Sequence, residues 1–205
     1  MRTMEVKLFK FDELDDKAKE KARDWWRQGA LQDNWWDAVY EDAAEIAKII
    51  GIDLRTKPVK LMNGNTRYDP CIWFSGFSSQ GDGACFEGTY RYAKGSRKAI
   101  RAYCNDAELY AIVDGLYEIQ RKNRFGLTAS VSHHGNYYFA RSASIDVDSP
   151  VDRDDSDDVR QLLCDFMHWI YKQLEAQHDY LMSDEAVDES IECNEYEFTE
   201  DGHIS

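Results

Sequence analysis

Few stretches of this 205-residue chain combine side chains in a way that could do chemistry. The densest is Ser78-Ser79-Gln80-Gly81-Asp82-Gly83-Ala84, where two glycines around Asp82 would let a ligand approach the backbone closely. A phosphate cradle normally adds a lysine and an ensuing helix. A strand is expected to follow here, so a hydrogen-bonded hairpin loop is the plainer reading. Asp82 and Glu87 are near enough in sequence to share acid–base work beside Gln80, and His133-His134 could add an imidazole for proton transfer or for a metal. Adjacent strand residues point to opposite faces, however, so the two histidines cannot readily hold one ion together. Cys164 and His168 stand four apart on an expected helix, but the further ligands that a stable metal site requires are not evident. We therefore expect no metal, no cofactor and no catalysis. The alternative is a small enzyme or nucleotide-binding protein that uses the Gln80–Glu87 loop with His133 or His134.

Charge and indole rings point elsewhere. The net charge is −14, and it is unevenly spread: residues 1–60 carry 12 basic and 13 acidic side chains, residues 61–145 carry 10 and 7, and residues 146–205 carry 3 and 19. Leu162, Leu163, Phe166, Trp169, Ile170 and Leu174 interrupt that last block at helical spacing, so a folded element displays the charge. Such a helix can offer carboxylates to a surface built for nucleic-acid phosphates and compete there, while repelling nucleic acid itself. Asp154, Asp155, Asp157, Asp158, Asp165, Glu175 and Asp179 are the candidate contacts. In the pairs Trp25-Trp26 and Trp35-Trp36, adjacent helical residues diverge by about 100°, so one member of each can enter the core while the other anchors a partner. Trp26 and Trp35 are the candidate anchors, and a homodimer is one arrangement that would bury them.

These residues need elements to hold them. Met4–Phe11 alternates like a strand, Asp12 offers a helix cap before the stripe Leu14, Ala18, Ala22 and Trp25, and a second helix is expected after Asp33, stopping at Gly51. Ile52–Leu61 and Pro70–Phe77 read as strands around Asn63-Gly64-Asn65, and Ala84–Ala93 as another. Pro58 makes the first of these an edge. The six-residue loop Ser78–Gly83 sets odd positions opposite even ones, gathering Cys71, Trp73 and Phe77 with Phe86, Tyr90 and Tyr92. Further on, Phe125, Leu127, Ala129 and Val131 and then Tyr137, Phe139, Ala143 and Ile145 alternate with polar residues. A three-residue loop, His134–Asn136, would pair Val131 with Phe139 and Leu127 with Ala143. Between the hairpins, Asn105 with Glu108 resembles a capping box ahead of Leu109, Ile112, Val113, Leu116 and Tyr117. The last long helix is expected from Ser156 or Asp157 to about Leu181, Ser183 caps a short Asp184–Cys193 helix, and the final dozen residues are a docked strand or a loose tail. The sum is an α+β fold, an antiparallel sheet of hairpins packed with several helices including a long acidic C-terminal one. We divide it into a 1–182 domain and a 183–205 helix and acidic tail. Five cysteines without paired spacing read as reduced thiols, and no apolar run approaches the roughly 18 residues of a membrane span.

The segments FDELDDKAKEKARDWW (11–26), WWDAVYEDA (35–43), IWFSGFSSQGDGACFEGTY (72–90) and LMSDEAVDESIECNEYEFTEDG (181–202) resemble a family of small acidic proteins of bacteriophages and prophages, often labelled hypothetical or as an antitoxin of a toxin–antitoxin stability system. The resemblance spans nearly the whole chain and carries over no catalytic residue. It implies a phage-borne protein acting in the cytoplasm of a bacterial host. By analogy with small acidic phage inhibitors, its partner would be a host protein with a basic nucleic-acid-binding surface, such as a toxin or a CRISPR or restriction factor. No direct nucleic acid and no membrane contact are expected.

Overall fold

The computed structural model describes residues 7–31, 34–135, 137–151 and 155–205. The fold is α+β with antiparallel pairing throughout the described strands. The first half of the chain forms β1 (Phe9–Lys10), α1 (Asp16–Ala30), α2 (Asp37–Ile50), β2 (Ile52–Leu54), β3 (Thr56–Lys60), β4 (Thr66–Pro70), β5 (Ile72–Phe74), β6 (Ala84–Phe86) and β7 (Gly88–Arg91). The second half forms α3 (Ser96–Tyr103), α4 (Ala107–Lys122), β8 (Thr128–His133), β9 (Ala143–Asp148), α5 (Ser156–Met182), α6 (Asp184–Cys193) and β10 (Glu197–Phe198). Contacts divide the chain into two compact units, with boundaries after Asp37 and Leu174 and not at 182. Unit 1 joins the residues up to Asp37 with Glu175–Ser205, and unit 2 is Ala38–Leu174.

Unit 1 is closed by apolar residues from both ends of the chain. Phe11, Leu14, Ala18 and Ala22 pack with Val187, Ile191 and Phe198, and Trp25 and Trp26 lie against this cluster. Trp25 meets Tyr196 and Phe198 edge-on at 5.1 and 5.8 Å. The last residues are thus a docked strand: β10 pairs with β1, Phe9 opposite Phe198. Asp15, not Asp12, caps α1 by accepting the Ala18 N–H at 2.7 Å, because Phe11–Glu13 turns as a 3-10 helix first. The Ser183 cap of α6 is as expected. The start of the Met4 strand and Asp33 lie outside the described residues.

In unit 2, α2 buries Ala43, Ile46, Ala47 and Ile50 and stops at Gly51, whose φ of +98° and approach to the Arg91 carbonyl leave no room for a Cβ. Three extended segments follow, and each breaks at its middle. Residues 52–60 break at Arg55, 66–74 at Cys71 and 84–91 at Glu87. The halves pair in rotation: β2 with β7, β3 with β4, and β5 with β6. At the centre the three pivots bond each other in a ring, Arg55 N–H to Glu87 O (2.9 Å), Cys71 N–H to Arg55 O (2.7 Å) and Glu87 N–H to Cys71 O (2.9 Å). This three-way junction replaces the longer strands anticipated above and satisfies backbone groups that a buried break would otherwise leave unpaired. It also changes the parity. Ser75 N–H bonds Gly83 O, so even positions face even ones (Ile72 opposite Phe86, Phe74 opposite Ala84), and the expected odd-to-even pairing is incorrect. Ala84, Cys85 and Phe86 are all buried.

β2-β7-β8-β9 form one four-stranded sheet. Odd positions of β8 and β9 do face each other, but Val131 meets Ile145 and His133 meets Ala143, so the expected Val131–Phe139 and Leu127–Ala143 pairs do not form. A three-residue loop is ruled out by a 3-10 turn at Ala140–Ser142, fastened by Ser142 Oγ to the Phe139 and Tyr137 carbonyls; Asn136 lies outside the described residues. α4 is capped by Asp106 in place of Asn105, its carboxylate accepting from Glu108 and Leu109 N–H while also taking the Trp169 indole N–H of α5 at 2.9 Å. α3 was not anticipated; Arg97 and Arg101 tie it to Asp114 of α4 at 2.6 and 2.7 Å. Phe86 meets Phe166 of α5, and Gln120 of α4 donates to Leu127 O at 2.7 Å.

Candidate interaction site

The polar loop is spent on its own closure. Asp82 Oδ2 accepts the N–H groups of Ser78 and Ser79 at 2.9 and 2.7 Å, and Gln80 is exposed. Glu87 belongs to the junction: one oxygen pairs with Arg55 at 2.9 Å and the other takes the backbone N–H of His133 at 3.3 Å. The His133 ring lies against Trp73 and Tyr138 and bonds Tyr137 O at 2.7 Å, whereas His134 is exposed. Glu87 and His133 are therefore neighbours through the backbone, with the imidazole engaged elsewhere. Cys164 Sγ turns to Ala140 O at 3.7 Å while His168 is exposed, and among the described residues no three His, Cys, Asp or Glu are grouped to hold a metal ion. Burial pushes the thiols of Cys71 and Cys85 up, that of Cys85 to about 12 with help from the Glu87 charge.

The candidate acids separate into different roles. Asp155 is buried and accepts from the buried Asn123 amide at 2.7 Å, which corrects its assignment as a displayed charge: it ties the start of α5 to the end of α4. Asp154 lies outside the described residues. Asp157 and Asp158 are exposed, Asp157 beside Arg160 at 2.9 Å. Asp165 is half-buried and accepts from Gln161, Glu175 is half-buried, and Asp179 is exposed beside His178. All four tryptophans of the two pairs are half-buried, Trp35 packing edge-on against Trp36 and His178.

Folding regroups the charge in a way that counting along the chain does not show. Unit 1 holds 8 Lys and Arg against 20 Asp and Glu, a net −12, whereas unit 2 holds 17 against 19, a net −2. Residues 175–205 contribute 11 of those acids and no Lys or Arg. Arg23 grips Asp188 with a two-pronged fork at 2.6 Å, and Arg27 pairs with Asp184. Glu185, Glu189, Glu192, Glu195, Glu197 and Glu200 are exposed, with no ion pair among the described residues. Glu192 and Glu195 also line a cavity of about 270 Å³, together with Lys10, Phe11, Asp12, Ile191 and Tyr196. None of these glutamates was singled out from sequence; the signal was the absence of any Lys or Arg after Lys172.

The architecture defines an α+β protein of antiparallel ribbons packed with helices, and no helix among the described residues is long and apolar enough to cross a membrane. The chain belongs to the family described as Domain of unknown function (DUF8835), which matches residues 35–184. That span contains all of unit 2 and leaves α1, β1 and β10 outside it. Comparison with curated proteins and with solved structures returned no match.

Proposed function

We propose that the chain works by binding: it occupies a cationic, nucleic-acid-handling surface of a host protein and inhibits it, as an antitoxin or an anti-defence factor does, with carboxylates standing in for phosphates. The observation that carries this reading is the 184–200 segment, which displays six exposed glutamates on a unit of net charge −12. Fixed carboxylates on a helix hold a spacing that a tail would not, and their summed field steers a basic partner into contact. Asp82 and the His133 ring are engaged in local hydrogen bonds, which favours binding by the acidic face over chemistry at that loop.

The test is capture from a nuclease-treated bacterial lysate by the immobilised chain. Basic proteins should be retained at about 0.15 M salt, where the screening length is about 8 Å, and released by added salt or by excess duplex DNA. The variant Glu185→Gln/Glu189→Gln/Glu192→Gln/Glu195→Gln should associate with a captured partner about tenfold more slowly or worse, with a smaller effect on dissociation. Capture indifferent to salt, to DNA and to the variant would overturn the reading.

A further inference from the structure

One exposed ribbon has a charge opposite to that of the molecule as a whole. From Arg55 to Tyr68 the chain carries Arg55, Lys57, Lys60 and Arg67 and no acid. These residues build the β3–β4 ribbon, with Pro58 opposite Tyr68 and Lys60 opposite Thr66. Every residue from 55 to 68 except Val59 is exposed, on both faces of the ribbon. Leu61–Asn65 forms a closed tip, Leu61 N–H bonding Asn65 O at 2.9 Å and Gly64 N–H bonding Leu61 O at 3.0 Å. At that tip Met62 is fully exposed, and Tyr68 is 67% exposed on the flank. A two-stranded ribbon in water is at best marginally stable, and here the pivot bonds at Arg55 and Cys71 hold its base. An ordered, basic finger with an apolar end is the shape of a contact element.

We infer that this finger is received by a second copy of the chain: the Lys60–Met62 tip of one copy enters the Phe11–Ile191–Tyr196 cavity of the next, between its Asp12, Glu192 and Glu195 carboxylates. The Lys57 and Lys60 side chains of the finger and the Asp12, Glu192 and Glu195 carboxylates at the cavity are opposite in charge. The cavity of about 270 Å³ has room for a methionine side chain, and its lining combines Phe11, Ile191 and Tyr196 with three carboxylates and one lysine, Lys10. Duplex nucleic acid is the poorer occupant, because Arg55 is already paired with Glu87 and Arg67 with Asp69, which leaves Lys57 and Lys60 for phosphate, and Met62 at the tip offers nothing to it. The contact joins different surfaces of two identical chains, so it is head-to-tail and extends into rings or short filaments. It also covers part of the α6 face assigned above to a host partner, so self-association and partner capture exclude each other. The inference stands without that reading, since only this chain takes part in it.

Sedimentation of the purified chain decides the matter. At about 0.01 M salt, where charges act over about 30 Å, the mass should rise above 23.8 kDa with concentration, and at about 1 M salt it should return to that of one chain. Lys57→Glu/Lys60→Glu and Glu192→Lys/Glu195→Lys should each stay monomeric, and mixing the two should restore association, which neither would do if misfolded. Met62→Ala should weaken association about tenfold while keeping its salt dependence. A monomer under all conditions, or association untouched by these changes, overturns the proposal. So does binding of a labelled DNA duplex that the ribbon variant loses, which would reassign the finger to nucleic acid. The ribbon variant leaves the α6 glutamates in place, so retained capture of a basic host protein by it separates failure here from failure of the proposed function.

Discussion

Asp155 shows how one carboxylate can be mistaken for its neighbours. It sits among the acids of 154–158, yet its oxygen is buried on the Asn123 amide, whose own oxygen takes the Ser149 hydroxyl at 2.7 Å. Asp155→Ala should cost about 1–3 kcal/mol, the range for leaving a buried donor short of an acceptor, and lower the denaturation midpoint accordingly. Neutralising the exposed Asp157 and Asp158 should stay within about 0.5 kcal/mol each. Two further groups, both buried, weaken the fold at alkaline pH. Burial pushes the Tyr90 hydroxyl from 10.0 to about 12 and the Cys85 thiol from 9.0 to about 12. The unfolded chain gives up these protons first, so their contribution is intact below about pH 9 and drains away as the pH climbs towards 12. Denaturation midpoints across that window should fall, and the fall should be shallower in Tyr90→Phe. Native thiol labelling should reach the exposed Cys193 first and Cys85 last.

Between elements, the caps and edges set stability. Asp106 begins α4 and holds the α5 indole; although burial disfavours its charge, the N–H bonds from Trp169, Leu109 and Glu108 keep its carboxyl below the usual value of 3.8. Its stabilisation is therefore present above about pH 3.8 and lost as acid carries the pH through the lower folded value. Asp106→Ala should cost about 1–2 kcal/mol near neutrality and flatten that acid limb. β9 is an edge strand, and its outward groups are already occupied in two places: Ala143 N–H turns back to Ala140 O, and Ile145 O accepts Arg160 Nε at 3.0 Å. Arg160→Ala should cost about 1 kcal/mol and speed aggregation in light scattering, because it reopens a strand edge. The helices other than α3 were readable in advance since their 3.6-residue stripes and caps are local signals, although Asp12 and Asn105 each stood near the true cap. The strand breaks were not, because a ring of backbone bonds among Arg55, Cys71 and Glu87 leaves no side-chain signature. The acids were readable as composition, but their grouping was not, since it depends on the tail returning to α1.

At the scale of the molecule, the two ends of the chain make one unit, so its core is shared by residues far apart in sequence. Removing 183–205 takes away Val187, Ile191 and Phe198 and uncovers Phe11, Leu14, Ala18 and Ala22. Hydrogen exchange on such a truncation should show α1 losing protection while the amides of β7 and β8 keep theirs. The arm is ordered by this core, and Gly202, with a φ of +83° where a Cβ would meet the Ala18 carbonyl, brings the chain in close at its end. The pivot ring in unit 2 carries a different implication. Each extended segment lends one half to each of two neighbours, so adding or dropping one residue in any of them flips the facing of a ribbon and throws the other two out of step. Their exposed positions can change identity one at a time, but their lengths cannot, so insertions should spare Arg55, Cys71 and Glu87.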